Sequence, residues 1–138
     1  MTAKEYLQQA YFLDREIQLN IEKIARMRSS LYGKAQGYQN TGGKGNNYGS
    51  FDSAVQKIID YEREVNIKTA ALVLKRLEIE EAINAVSDDR QREILTRRYL
   101  LYQKWEEIAL IINYNITHVF RLHNSALENM QLNVSIEV

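Results

Sequence analysis

The stretch that decides the fold is WEEIALIINYNITHVFRL, residues Trp105 to Leu122. Its first half repeats apolar side chains at the spacing of one helix face. These side chains are Trp105, Ile108, Ala109 and Ile112. Asn113, Tyr114 and Asn115 follow. Asn tolerates the left-handed backbone conformation that a sharp turn needs, and it also caps helices. The sequence therefore predicts two helices joined by a tight turn at Asn113, with Asn115 as the cap of the second.

The second helix of this pair has its own apolar side. We predict that it buries Ile116, Val119, Leu122, Ala126 and Met130, with Leu127 alongside. Ala109 is small where the two helices cross. This spacing fits a helix-turn-helix whose second helix enters a DNA groove, and it also fits an ordinary helical hairpin in a bundle. The Trp105 ring is expected to pack between the pair and the preceding helix.

Two longer amphipathic segments precede the pair. Residues 53–86 repeat apolar side chains every seven positions, and Ser87, Asp88 and Asp89 then end one helix and cap the next. The repeated positions are Ile58, Val65, Leu72, Ile79 and Val86. Residues 1–31 start with a capping-box pattern of Thr2 and Glu5 and carry a heptad-like stripe in which Asn20 takes one position. The stripe is Tyr6, Ala10, Leu13, Ile17, Ile24, Met27 and Leu31.

The glycines divide the chain, which has no proline. All six lie between Gly33 and Gly49, so we expect a flexible, glycine-rich connection over residues 32–50. The predicted fold class is all-α, with a long antiparallel helical hairpin or coiled-coil region over residues 1–86. A helix-turn-helix module is predicted over residues 87–132, and residues 133–138 form a tail. A long amphipathic helix needs a partner for its apolar face, either the first helix or a second copy of the chain.

Several function classes lack the residues they need. The chain has no cysteine, and His118 and His123 are five positions apart rather than the four of a helical zinc pair. Residues 42–45, GGKG, lack the first glycine and the Ser or Thr of a phosphate loop. We therefore expect no enzyme, no metal, no cofactor and no small-molecule ligand. No apolar run exceeds five residues, so no membrane span is expected, and the N-terminus lacks a signal-peptide core, so we expect a cytoplasmic protein.

The C-terminal third carries a group of residues with a characteristic spacing. They are Arg92, Glu93, Ile94, Leu95, Arg97, Arg98, Tyr99, Trp105, Glu106, Glu107, Ile108, Ala109, Val119, Ala126 and Leu127. This group resembles region four of bacterial sigma factors. In that family an R-E-x-x-L-x-x-R-Y helix precedes an E-E-I-A helix, a G-x-S turn and a recognition helix that ends in A-L. The turn carries Asn113 where Gly is usual and Asn115 where Ser is usual. This similarity covers about residues 86–130.

Within that superfamily, Tyr114 to Leu127 is most similar to small phage-encoded proteins of Gram-positive hosts. Those proteins are described as sigma-like or as late-gene transcriptional regulators of phage and prophage. The resemblance implies a sequence-dependent transcription regulator whose partners are double-stranded DNA and host RNA polymerase. It also implies a major-groove position for the helix that starts at Ile116.

Charge sets a limit on DNA binding. Residues 86–130 carry six basic and six acidic side chains, and a neutral module binds phosphates weakly. We therefore expect it to act as a homodimer or together with polymerase. The candidate DNA-binding residues are Thr117, His118, Arg121, Asn124 and Ser125 on the second helix, and Arg97, Arg98 and Lys104 before it. His123 is expected at the margin of the exposed face, and Phe120 either contacts thymine methyls or packs on protein.

Two other functions fit the same pattern. A small terminase subunit for phage DNA packaging also joins a helix-turn-helix to oligomerising helices, in a ring. A protein-interaction module that binds polymerase or a sigma factor would need no DNA readout. The neutral charge and the single certain cation of the second helix, Arg121, favour the interaction module.

Overall fold

The computed structural model describes the backbone of residues 1–40 and 46–137 and the side chains of residues 1–31 and 49–130. Every regular element in these ranges is helical, which confirms the all-α prediction. The elements are α1 (Ala3–Asn40), α2 (Asn46–Asn84), α3 (Asp89–Leu95), a π-helical turn (Thr96–Leu100), α4 (Trp105–Ile112) and α5 (Ile116–Glu137). No helix within the described ranges is both long and apolar enough to cross a bilayer.

Two predicted caps are confirmed. At the start of α1 the Glu5 backbone N–H donates to Thr2 Oγ1 at 3.1 Å, and the Thr2 N–H donates to Glu5 Oε2 at 3.3 Å. This reciprocal pair is the capping box that the sequence indicated. At the start of α3, Asp88 Oδ1 accepts from the Gln91 N–H at 2.9 Å. Both helices therefore begin where side-chain oxygens satisfy first-turn amides.

The predicted connection over residues 32–50 is shorter than expected. Helix α1 continues to Asn40 and α2 begins at Asn46, so Gly33, Gly37 and Gly49 have helical backbone. A glycine inside a helix costs only about 1 kcal/mol relative to alanine, so a few glycines do not by themselves end a long helix. Residues 41–45, which hold the other three glycines, lie outside the described residues.

The chain forms two compact units. The first combines Met1–Asp14 with Val73–Val138, and the second is Arg15–Leu72. The sequence had instead placed a boundary between residues 86 and 87. The grouping differs because the start of α1 and the end of α2 share a hydrophobic core with the C-terminal helices. The buried members of that core are Ala3, Leu7, Ala10, Ile79, Ile83, Val86, Leu95, Tyr99, Leu100, Ala126 and Met130.

The apolar stripe of α1 follows the predicted positions only in part. Ala10 is buried and Tyr6 and Leu13 pack against the core, but Met27 is 39% exposed. Leu7, which the stripe omitted, is fully buried. A straight helix has 3.6 residues per turn, so a strict seven-residue repeat drifts from the buried side along its length. The repeat therefore identifies the helix but misplaces individual contacts.

The second unit pairs segments of α1 and α2 through polar contacts. Asn20 is buried and its Nδ2 donates to Thr69 Oγ1 at 3.1 Å. Arg28 binds Glu62 through two hydrogen bonds, of which Nη2 to Oε2 is 3.0 Å. Since later residues of α1 contact earlier residues of α2, the two segments run in opposite directions within this unit. The buried Asn20 favours one register because its amide pairs with Thr69 of the other helix.

Candidate nucleic-acid interface

A three-residue turn joins α4 and α5. Asn113 ends α4 in the left-handed conformation, with φ 61° and ψ 43°, and its N–H donates to the Ala109 carbonyl. The Tyr114 N–H also donates to the Ala109 carbonyl, at 3.1 Å. Asn115 Oδ1 accepts from the His118 N–H at 2.8 Å and so caps α5. The predicted roles of Asn113 and Asn115 are confirmed.

A small apolar cluster fixes the angle between the two helices. Ile108 and Ile112 of α4 meet Val119 of α5 and Ile94 of α3, and all four are buried. Trp105, Ala109, Tyr114 and Leu122 pack around them. The α4 face is as predicted. On α5 the prediction for Ile116 was wrong, because this side chain is 37% exposed. It stands in the first turn, before the helix reaches the cluster.

The predicted DNA-binding residues of α5 differ in exposure. Thr117, Arg121 and Asn124 are exposed, whereas His118 and Ser125 are half-buried. The exposed set forms a polar strip along the first turns of the helix, and Arg121 makes no ion pair with any residue that the structure describes. An unpaired guanidinium on an exposed helix can bind a phosphate or a guanine edge.

His118 belongs to a row of side chains that the sequence did not indicate. Its ring centroid lies 4.7 Å from that of Tyr114 in an edge-to-face arrangement. On the same tyrosine ring, the Arg90 guanidinium carbon lies 5.3 Å from the centroid. Arg90 therefore adds a cation near the start of α5. No sequence signal could have found it, because Arg90 and Tyr114 are 24 positions apart and meet only through the packing of α3 on α5.

The three predicted cations before α5 differ in how far other side chains already bind them. Arg97 is bound to Glu93 at 3.0 Å and reaches Gln103 Oε1 at 3.4 Å. Arg98 donates to the Gln103 carbonyl at 3.1 Å, and its guanidinium carbon lies 4.6 Å from the centre of the Trp105 ring. Lys104 is exposed at the start of α4. Lys104 and Arg121 are thus the predicted cations most open to phosphates.

The acids of α3 are matched by arginines of the same segment. Asp89 pairs with Arg92, and Glu93 pairs with both Arg90 and Arg97. Ion pairs at the surface contribute little stability, but they cancel charge locally. The acids left nearer the turn are Glu106 and Glu107, which are exposed in the first turn of α4. This local cancellation keeps the surface around α5 close to neutral.

His123 was expected at the margin of the exposed face and is instead buried, at 6% exposure. Its Nε2 lies 2.7 Å from the Tyr99 hydroxyl oxygen. Trp105 meets the same imidazole edge-to-face at 4.6 Å between centroids, and Phe120 meets Trp105 edge-to-face at 5.3 Å. Burial, together with the charges of Lys4 and Arg98, lowers the pKa of His123 to about 4. The neutral imidazole therefore belongs to the core beneath α5 and is not a DNA-binding group.

The comparisons with known proteins add no assignment. No protein-family model, curated protein or solved structure matches this chain. Among the residues that the structure describes, no three His, Asp or Glu side chains lie together as a metal site would require. The exposed strip of α5 and the turn that presents it are therefore the basis for a functional assignment.

Proposed function

We propose that the chain is a sequence-dependent DNA-binding regulator of transcription, in which α4 and α5 act as a helix-turn-helix of the sigma region four type. Helix α5 enters the major groove with Thr117, Arg121 and Asn124 toward the base edges. The observation that carries this proposal is the exposed polar strip on a helix held rigidly by the left-handed turn at Asn113 and the Asn115 cap. Arg pairs with guanine and Asn with adenine in that groove.

In this proposal, a second binding surface adds to the DNA affinity of the helix-turn-helix. The module has equal numbers of basic and acidic residues, and Arg97 is bound to Glu93. Few cations remain for phosphates, so one module alone binds weakly. A homodimer through the helical hairpin of residues 1–86, or docking on host RNA polymerase, raises the effective concentration of α5 at its site. The sequence resemblance supports a phage or prophage regulator in a Gram-positive host.

The test is selection of DNA followed by sequencing. Tagged protein is mixed with fragmented phage and bacterial DNA at low salt, with and without RNA polymerase of a Gram-positive bacterium. The proposal predicts enrichment of a common sequence, alone or with polymerase. Arg121→Ala should reduce the enrichment at least about fivefold, since a good base contact contributes about 1–3 kcal/mol. The matched control is Arg63→Ala, an exposed arginine of α2, which leaves the enrichment unchanged.

A protein-interaction module without DNA readout is the second candidate. The specific observation in its favour is the apolar exposure of α4, where Leu110 is 82% and Ile111 is 50% exposed. Exposed apolar side chains close together are typical of protein contacts. Polymerase binding that Leu110→Ala weakens, with no DNA enriched under either condition, would support this candidate against the first.

A further inference from the structure

A groove of about 510 Å³ lies in the first compact unit, between the start of α1 and the segment that leads into α4. It is partly open to solvent. Tyr11 and Phe12 of α1 line one side, and Tyr102 and Trp105 line the other. Lys4 and Arg98 supply its charges, and none of the described residues that line it is acidic.

The aromatic rings hold one another in place. Tyr11 meets Phe12 at 5.4 Å and Tyr102 at 5.3 Å between centroids, at interplanar angles of 80° and 83°. Phe12 is nevertheless 68% exposed. Tyr102 is fixed further by its hydroxyl, which lies 3.1 Å from the Ala10 carbonyl oxygen and also bonds Asp14. The groove is therefore preorganised, and binding there would require little ordering of side chains.

The two cations give the groove a positive character. The Arg98 guanidinium is oriented by its contact with Trp105 and by one hydrogen bond to the Gln103 carbonyl, which leaves further N–H groups for a ligand. Lys4 is exposed on the first turns of α1. Both cations also contribute to the lowered pKa of the buried His123. A ligand that places carboxylates here gains charge-assisted hydrogen bonds.

We propose that this groove binds an acidic peptide segment of a partner protein. One aromatic or aliphatic side chain of the peptide packs among Phe12, Tyr102 and Trp105, and its flanking carboxylates bind Lys4 and Arg98. Tyr, Trp and Arg are the residues most enriched at the energetic centres of protein interfaces. The groove thus combines an apolar anchor site with charges opposite to those of the peptide.

Single-stranded nucleic acid fits the groove less well. Base stacking needs open ring faces in succession, whereas Tyr11 contacts both Phe12 and Tyr102 edge-to-face. A strand also needs a row of cations for its phosphates, and the groove has two. The proposed site is distinct from the α5 strip, so its failure and the failure of DNA readout are measured separately.

The single tryptophan of the chain is the natural reporter, because Trp105 lines the groove. The probes are twelve-residue peptides with a central Phe, Trp, Leu or Ile flanked by Asp and Glu, and a matched panel with Lys at every acidic position. The Trp105 emission of the full-length protein is followed for the Phe, Leu and Ile peptides, and the anisotropy of labelled peptide is followed for all four. We expect saturable binding of at least one acidic peptide, with a dissociation constant below about 1 mM. This peptide should bind at least tenfold more tightly than its Lys counterpart.

Two variants localise the binding. Lys4→Glu and Phe12→Ala each weaken the best peptide about tenfold, and both change exposed side chains, so the unfolding midpoints should stay close to wild type. The matched controls are Lys23→Glu and Leu19→Ala, exposed positions of α1 outside the groove, which leave the affinity unchanged. The proposal is overturned if no acidic peptide has a dissociation constant below about 1 mM, or if the Lys panel binds equally well. It is also overturned if oligo(dT) binds more tightly than the best peptide.

Discussion

The Oδ1 atom of Asn115 accepts a hydrogen bond from the backbone N–H of His118 at 2.8 Å, and this contact starts α5. Loss of such a cap costs about 1 kcal/mol, because a first-turn amide loses its partner. Asn115→Ala should therefore lower the free energy of unfolding by about 1 kcal/mol, whereas Asn115→Ser should stay within about 0.5 kcal/mol of wild type. Urea unfolding followed by Trp105 fluorescence measures both. Equal losses in the two variants would contradict the capping role.

Substitutions of Asn113 test whether the turn between α4 and α5 requires a left-handed backbone conformation. Its φ of 61° lies in the left-handed region, which glycine adopts freely and β-branched residues adopt at a cost. Asn113→Gly should leave the stability within about 1 kcal/mol of wild type, and Asn113→Val should lower it by about 1–2 kcal/mol. The same urea titration compares them. A Val variant as stable as the Gly variant would show that the turn does not require this conformation.

The lowered pKa of His123 predicts how the stability of the fold changes with pH. Burial, and then the charges of Lys4 and Arg98, lowers its pKa to about 4 from the ordinary 6.5. Between these two values the unfolded chain binds a proton that the folded chain does not, so stability is complete above pH 6.5 and falls as the pH drops toward 4. The loss attributable to His123 is up to about 3 kcal/mol.

The measurement is the thermal or urea midpoint at several pH values for wild type and His123→Gln. The variant is less stable at pH 7, because Tyr99 loses its imidazole partner, but its stability should fall less between pH 6.5 and pH 4. If the stability of the two proteins fell equally between pH 6.5 and pH 4, another group would cause the pH dependence, and the prediction would be wrong.

Salt dependence separates the free cations from the engaged ones. Each phosphate contact contributes about 0.9 to the slope of log affinity against log salt concentration. Lys104→Ala should lower this slope by about 0.9, because Lys104 is exposed. Arg97→Ala should leave it nearly unchanged, because Arg97 is bound to Glu93 and Gln103. Titrations of the enriched duplex at four salt concentrations give the slopes, with Lys23→Ala as the control. A larger effect of Arg97→Ala than of Lys104→Ala would contradict this arrangement.

Local sequence signals predicted the helix ends well. The Thr2–Glu5 capping box, the Asp88 cap, the left-handed Asn113 and the Asn115 cap all depend on a few neighbouring residues and on the chemistry of one side chain. The α4 face of the small apolar cluster was predictable for the same reason, because helical spacing fixes which side chains share a side.

Contacts between distant segments could not be read in this way. The pairing of His123 with Tyr99 and of Arg90 with Tyr114, and the contact of Arg98 with Trp105, arise from how α3, the π-helical turn, α4 and α5 pack. The π-helical turn and the left-handed Tyr102 (φ 57°) after it also carry no sequence signal. Tyr102 holds that conformation through its contacts with Ala10 and Asp14, which are about ninety positions away in the sequence.

The most direct test of DNA readout is to map which residues a duplex contacts. Backbone amide chemical shifts of isotope-labelled protein are recorded at low salt with a duplex from the enriched pool, and with a scrambled duplex of the same composition. Readout by α5 predicts that the enriched duplex shifts the amide signals of Thr117, Arg121 and Asn124 most, and that the scrambled duplex shifts them much less. Equal responses to the two duplexes, or shifts confined to residues 15–72, would contradict readout by α5.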